Sequence, residues 1–339
     1  MANYNPGHGV KSTDAEFLAP WHKTGSPSQI AQALGCDVRK VFARRRSIEK
    51  RYNIALVSNG PGSSPIEKER IRQIHHEGRI DVTIENGVCI VFSDAHYWPD
   101  LVTTAHRALL AMIRQLKPVV VINNGDAFDG ASISRFPVMQ WMEADRKPSV
   151  TTELDACKAR LGEIEKEAGS AHLLWNLGNH DARYEAKLAA SLSGADYGHI
   201  KGFHLKDHFP NWKPAWTTWI NEKVLVCHRI RNGVHATHTN VQSAHCSTIT
   251  GHLHSLKITP YTDARGHTKY GVDTGTLADP MGPQFIDYTE GKHSNWRSGF
   301  AVLTFRNGEL LMPELVKVWD EDRVEFRGHL LDADTGEVV

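Results

Sequence analysis

At 118–129 the chain reads PVVVINNGDAFD, and this stretch decides the fold. An apolar run over 118–122 ends abruptly in Asn123-Asn124-Gly125-Asp126, as a buried strand does when it feeds a functional loop. An amphipathic helical segment at 101–117 leads into it. The arrangement recurs downstream, where a charged helix over 154–167 precedes a strand over 171–177 that ends in Gly178-Asn179-His180-Asp181. A further strand over 223–226 ends in Cys227-His228. Three times, polar and metal-competent residues stand just past the C-terminal end of an apolar strand, where open α/β sheets hold their ligands. Upstream, 81–84 and 88–92 flank Glu85-Asn86-Gly87. Asn-Gly accepts the positive φ angles of a type I′ turn, so a hairpin is predicted there. Later segments at 257–261, 300–305, 309–312 and 324–327 read as β structure joined by turns such as Asn307-Gly308.

Composition narrows the class. The chain has 339 residues, 40% of them hydrophobic, enough for a proper core in one large or two smaller domains. Its formal net charge is zero, so no global field draws it to nucleic acid or anionic lipid, and any basic footprint must be local. Five scattered cysteines without paired spacing suggest reduced thiols rather than a disulfide scaffold. The N-terminus lacks an apolar signal core and no run approaches the roughly 18 apolar residues of a membrane span. A cytoplasmic protein without a membrane partner is expected. The 20 histidines, several beside Asp, Asn and Gly at the ends of apolar runs, invite a metal reading.

Taken together, the fragments are Asp94-Ala95-His96, Gly125-Asp126-Ala127-Phe128-Asp129, Gly178-Asn179-His180-Asp181, His228 and Gly251-His252-Leu253-His254. Carboxylates, imidazoles and an amide oxygen form an oxygen-and-nitrogen ligand set suited to two divalent ions sharing an anionic bridge. A glycine before each of Asp126, Asn179 and His252 is expected to let the backbone turn sharply at a strand end.

In this order the fragments resemble the calcineurin-like metallophosphoesterase superfamily, whose pattern runs D-x-H, G-D-x-x-D, G-N-H-D/E, H, G-H-x-H. The resemblance covers about 84–256 and implies that Asp94, His96, Asp126 and His254 bind one ion while Asp126, Asn179, His228 and His252 bind the other, with Asp126 as bridge. It further implies that His180 faces the leaving-group oxygen and that Asp129 orients its imidazole. The expected cofactor is two divalent ions, Mn²⁺ foremost, with Fe, Zn or Ni as alternatives. Two departures stand out. The phosphoprotein phosphatase branch follows its second aspartate with arginine, whereas Asp129 is followed by Gly130, which argues against phosphoserine and phosphothreonine as substrates. The fourth motif is His228-Arg229 rather than His-Gly, which leaves His235, His238 and His245 as nearby competitors. Arg183 and Arg229 are both candidates to reach a phosphate.

Bland readings apply elsewhere. His22, His172, His199, His204 and His208 are read as solvated or hydrogen-bonded residues, and His75-His76 as part of a solvated linker helix. Asp181 is expected to support the ligands from behind, Cys227 to serve packing, and Trp98 to form a cleft wall or simple core.

The segment 27–41 resembles a DNA-binding helix-turn-helix, with Ser26 and Pro27 starting one helix, Gly35 in the turn and Asp37 starting the next. Ile30, Ala31, Leu34, Val38, Val41 and Phe42 keep the helical period. Arg39, Lys40, Arg44, Arg45 and Arg46 form a local basic excess that is expected to contact DNA phosphates. Short helical units also serve as protein-interaction modules, so an assembly role stays open. The expected organisation is a helix-turn-helix-like domain at 1–52, a linker at 53–79 carrying a short helix, and a metallophosphoesterase domain at 80–339. The expected fold is α/β, a four-layer-type β-sandwich of mixed sheets flanked by helices, preceded by the small helical domain. The leading function is hydrolysis of nucleic-acid phosphodiester bonds, as in nuclease members of the superfamily including phage-encoded ones. The alternative is a phosphoesterase for a small substrate such as a cyclic nucleotide.

Overall fold

The computed structural model describes residues 13–52, 54, 56, 77–134, 147–191, 202, 204–286, 289, 290, 292 and 294–339. The chain divides into two compact units, Met1–Ile74 and His75–Val339. His75-His76, His199 and nearly all of the expected linker lie outside the described residues.

In the first unit, α1 (Asp14–Thr24) begins at a reciprocal cap in which Thr13 and Glu16 satisfy each other's main-chain N–H groups. Ser26 caps α2 (Pro27–Ala33), Gly35 turns the chain at φ +57°, and Asp37 accepts from the Arg39 N–H as α3 (Val38–Tyr52) begins. Phe17, Trp21, Ile30, Ala31, Val41, Ile48 and Leu56 form the core. Val38 and Phe42, which keep the helical period in the sequence, are exposed. The buried stripe of α3 runs through Val41 and Ile48, seven residues and two turns apart.

The second unit is built on one continuous mixed sheet. Its strands are β1 (Glu77–Val82), β2 (Gly87–Phe92), β3 (Val120–Asn123), β4 (His172–Asn176), β5 (Lys213–Ile220), β6 (Val224–Cys227), β7 (Ser247–Thr250), β8 (Lys257–Thr262), β9 (Thr268–Asp273), β10 (Gly299–Arg306), β11 (Glu309–Leu310), β12 (Glu314–Val318), β13 (Arg323–Phe326) and β14 (His329–Asp332). The order is β14-β13-β12-β10-β2-β3-β4-β5-β6-β7-β9-β8, with β1 also on β5 and β11 on β10. β5 makes the fold. Its first residues, Lys213 to Ala215, pair with β4, and its last, Thr217 to Ile220, pair with β6. One strand thus passes from one arm of the sheet to the other and lets the arms face each other.

Strand alternation then sorts the layers. Cys89, Val91, Val120, Ile122, Ala301 and Leu303 of one arm meet Val224, Val226, Ile249 and Val272 of the other in a shared core. Their neighbours Ile90, Phe92, Val121 and Val302 point the opposite way, onto Leu109 and Met112 of α4 (Thr104–Leu116) and Leu161 and Ile164 of α5 (Val150–Ala168). Beyond the second arm, Gly271 of β9 leaves room for the Thr237 carbonyl and Val241 of α7 (Ala236–Ala244). The order helix, sheet, sheet, helix is the layering expected, with the two sheets joined through β5. Among the described residues, no helix is long and apolar enough to cross a membrane.

The hairpin expected around Asn86-Gly87 does not form. β1 lies parallel to β5, with Glu77 opposite Ala215 and Val82 opposite Ile220, and it starts inside the stretch read as linker. β2 pairs instead with β3 and β10. Asn86 keeps a negative φ and its side-chain oxygen accepts the Asn307 N–H, so it braces a neighbouring turn rather than making one. The genuine Asn-Gly turn is Asn307-Gly308, with φ +50° and +75°, which folds β10 onto β11.

Candidate metal centre

The central strands β2, β3 and β4 are parallel and in register, so their C-terminal ends stop side by side and deliver three polar loops to one place. Main-chain bonds lock the first two loops together: Asp94 N–H donates to the Gly125 carbonyl (2.8 Å), and His96 N–H to the Asp126 carbonyl (3.0 Å). Asp94, His96, Asp126, His252 and His254 all adopt left-handed backbone, with φ between 39° and 71°. Such conformations are sparsely populated by non-glycine residues and persist where surrounding structure enforces them, often at functional sites.

The glycines work differently from one another. Gly125 has φ +95° and needs its freedom to turn, as expected. Gly178 and Gly251 are required for close approach: a methyl group on Gly178 would collide with the Asp126 carboxylate, and one on Gly251 would lie 2.6 Å from Asp94 Oδ2.

Among the described residues three metal-type groups result, one of them His96, Asp129 and His180; the other two concern the expected ligands. Asp94, His96 and His254 form one and Asp126, His228 and His252 the other, each with ligand-type atoms within 4.8 Å of one another. They adjoin, since His228 Nε2 lies 3.0 Å from Asp126 Oδ2 and 4.0 Å from Asp94 Oδ1. The donor set suits divalent ions, and buried polar atoms point to the same use. His96 Nε2, His254 Nδ1 and Asn179 Oδ1 are buried without a hydrogen-bond partner among the described residues. The competitors of His228 lie elsewhere: His235 is exposed, His238 packs edge-on to Tyr261, and His245 caps the C-terminus of α7.

Behind the clusters, Asp181 gathers four donors: the N–H groups of Asp126 (2.8 Å), Gly178 (2.9 Å) and Phe128 (3.2 Å), and Trp175 Nε1 (3.0 Å). It therefore ties the second loop to the third. Burial and the nearby Asp126 charge push its carboxyl up to about 6. Burial would raise Asp94 too, yet His254 and His228 hold it down at about 2. His252 is depressed to about 4 by burial and by His228.

Asp129 serves two histidines. Its Oδ1 lies 2.7 Å from His96 Nδ1 and 3.1 Å from His180 Nδ1, while its own carbonyl accepts at 2.8 Å from His180 Nδ1. Burial opposes the charge, but the bonds to His180 and His96 keep this carboxyl well below the usual range. His180 feels burial pulling its pKa down, and Asp126 and Asp129 raise it on balance. Buried Glu153, in turn, holds the Gly130 and Ala131 N–H groups and so steadies the loop that carries Asp129.

The pocket above these groups is lined by His96, Asp126, Asp129, Asn179, His180, Arg183, His252 and His254, with Ser134, Gln284, Phe285 and Trp296. Its apolar wall is Trp296 and Phe285, whose rings lie 4.6 and 5.3 Å from His254. Trp98 is not part of that wall; it packs on Ala131. Gln284, Phe285 and Trp296 follow the last motif in a stretch with no periodic or metal-type pattern, so only the folded chain reveals them. Cys227 is buried, and burial pushes its thiol up to about 12, as a packing residue requires.

Residues 88–261 match the calcineurin-like phosphoesterase family. The chain belongs to that family. Its relatives include the Gene 54 protein of Mycobacterium phage L5, 25% identical over 232 residues that span 62% of this chain and 86% of the phage protein. The Gene 54 protein of Mycobacterium phage D29 is 27% identical over 231 residues, with the same shares covered. Among solved structures the chain is similar to Yfce, a phosphoesterase from E. coli, at 13% identity and a TM-score of 0.31, over 74% of this chain and 96% of that one. As a calcineurin-like phosphoesterase, the chain is a phosphoester hydrolase of a binuclear metal-dependent family.

In the first unit, Arg39, Lys40 and Arg46 are exposed on α3. Arg44 and Arg45 are engaged internally: Arg44 pairs with Asp14 at 2.6 Å, and Arg45 pairs with Glu49 at 2.9 Å while lying over the Trp21 ring.

Proposed function

We propose that the chain is a phosphodiesterase acting on nucleic acid, with DNA as its substrate. Asp94, His96, Asp126 and His254 would hold one ion and Asp126, Asn179, His228 and His252 the second, Asp126 being shared. Such ions supply Lewis acidity at the phosphoryl oxygens and lower the pKa of an attacking water; Mn²⁺ suits this mixed oxygen and nitrogen set. His180 is the proton donor. Its Nδ1 is fixed by Asp129, through carboxylate and carbonyl together, which leaves Nε2 as the atom able to protonate the departing oxygen. The Asp126 and Asp129 charges favour the protonated ring this role needs. His96 is steadied by the same Asp129 carboxylate, so one side chain orients both a ligand and the acid.

The observation that carries the nucleic-acid reading is the three-helix unit, whose α3 presents Arg39, Lys40 and Arg46 to solvent, Arg39 and Arg46 being two turns apart on one face. The internal pairing of Arg44 and Arg45 favours the second reading, a small phosphoester such as a cyclic nucleotide with the helical unit used for assembly. One experiment separates them. Mn²⁺-loaded protein is incubated with single-stranded DNA, duplex DNA, RNA and bis(p-nitrophenyl) phosphate, alongside a variant with Arg39, Lys40 and Arg46 changed to Ala. DNA should be cut, and the variant should bind it with a log-log salt slope shallower by up to about 3, at about 0.9 per phosphate contact. Turnover of the chromogenic diester should be unchanged. A protein that turns over the diester and leaves every polynucleotide intact supports the second reading.

A further inference from the structure

Arg183 stands in the first turn of α6 (Asp181–Ser191), three residues past His180 and at the edge of the metal-type clusters. It is the one Lys or Arg among the described residues that line the pocket; Arg229, the other arginine in question, is exposed and outside that lining. Its guanidinium reaches both Asp129 and His180. Nη1 donates to the Asp129 carbonyl at 3.0 Å, and Nη2 lies 3.0 Å from His180 Nε2.

The second contact has a chemical consequence. A guanidinium can only donate, so Nε2 must accept, and the ring proton then sits on Nδ1, where it reaches the Asp129 carbonyl. With Arg183 in place, the atom that should give a proton to the leaving group is occupied and faces a cation. Something must draw Arg183 away before His180 can act. The planar two-pronged donor of arginine matches the oxygens of a phosphoryl group better than a single ring nitrogen, and it gains more from an anion. Asp129 is followed by Gly130, so the residue next to it in the chain brings no charge of its own.

We infer that Arg183 is the residue that grips the substrate's phosphoryl oxygens, and that its contacts to His180 and Asp129 are where it rests when no phosphate is bound. The phosphate that must be cleaved is then what uncovers His180 Nε2, which takes up a proton from solvent, favoured by the Asp126 and Asp129 charges, before it can give one to the leaving group. This rests on the phosphoesterase reading of the site.

The test uses metal-loaded full-length protein as wild type, Arg183→Gln and Arg183→Lys. Inorganic phosphate is titrated by calorimetry, and kcat and KM are measured with bis(p-nitrophenyl) phosphate. Loss of charge-assisted bonds should weaken phosphate binding and raise KM about ten- to a hundredfold in Arg183→Gln. Arg183→Lys, which keeps the charge without the fork, should fall between. The nitrophenolate leaving group needs little protonation, so kcat should stay within about threefold, the pattern of a lost binding contact. Metal content of the same samples should be unchanged. Phosphate affinity and KM equal to wild type in both variants would overturn the assignment, as would a fall in kcat with KM unchanged. Neither outcome touches the phosphoesterase reading, which fails only if the metal-loaded wild type turns over no phosphoester.

Discussion

Metal added to the stripped protein should drive a proton off His228. Burial alone would depress this imidazole, but Asp126 Oδ2 at 3.0 Å, Asp94 Oδ1 at 4.0 Å and the Asn124 carbonyl hold it up at about 10. A metal ligand must be the neutral ring, so binding requires the proton to leave. At neutral pH, roughly three pH units below that value, its removal costs about 4 kcal/mol at about 1.4 kcal/mol per unit. Affinity should therefore rise about tenfold per pH unit between about pH 6 and about pH 9, or roughly a thousandfold in all. The direction follows from the proton being bound in the free site and absent in the loaded one. His252, at about 4, and His96, depressed by burial, are already neutral and contribute no proton. Calorimetry of Mn²⁺ binding in buffers of different ionisation enthalpy counts the protons, and about one should come from His228. Enthalpies independent of buffer, with affinity flat across that pH range, would refute the argument that His228 changes a proton for a metal.

His180→Ala should keep its metal and lose roughly 10² to 10⁴ in turnover on esters with poor leaving groups, with a smaller defect on p-nitrophenyl esters; equal defects on both would contradict its role as proton donor. Gly178→Ala places a methyl group against the Asp126 carboxylate and 2.6 Å from the Asp126 nitrogen. It should destabilise the fold by about 3 kcal/mol or more and lower metal content, read by urea unfolding and elemental analysis. An alanine variant with wild-type stability and metal would show that the loops have slack. Away from the metals, buried His106 sits between the Tyr97 hydroxyl and Glu163, and burial lowers its pKa from 6.5 to about 4. It is neutral in the fold and charged in the unfolded chain between those values, so stability present above pH 6.5 is lost as pH falls toward 4, by up to ~3 kcal/mol. His106→Leu should flatten this slope in urea unfolding; an unchanged slope would assign acid sensitivity to other groups.

Much of the site was legible because each part is local. A strand that stops in Asn-Gly-Asp or Gly-Asn-His carries its own loop, and parallel strands in register bring such loops together without further instruction, as Phe92 opposite Asn123 and Asn123 opposite Trp175 show. The helical starts at Ser26 and Asp37 were legible for the same reason, since caps act within three residues. Asn86-Gly87 misled because a turn dipeptide states only what the backbone tolerates. Its neighbour β1 is claimed by β5, more than a hundred residues on, and the competing pairing buries Ile80 and Ile84 in the core between the arms.

What the amino-acid order determined by itself is the inventory: which strands end in ligand-type residues, which glycines precede them, and that Asp129 is followed by Gly130 rather than a cation. The tertiary structure decided the rest. It made one sheet of two arms by letting β5 pair with β4 at one end and β6 at the other. It brought His228, rather than the three histidines that follow it, beside Asp126, walled His254 with Phe285 and Trp296, and laid Arg183 across His180. Apart from Arg183 and His180, which are three residues apart in the chain, these outcomes depend on side chains distant in sequence and 3 to 5 Å apart in space. Such proximity follows from the packing of whole layers, and no periodicity along the chain encodes it.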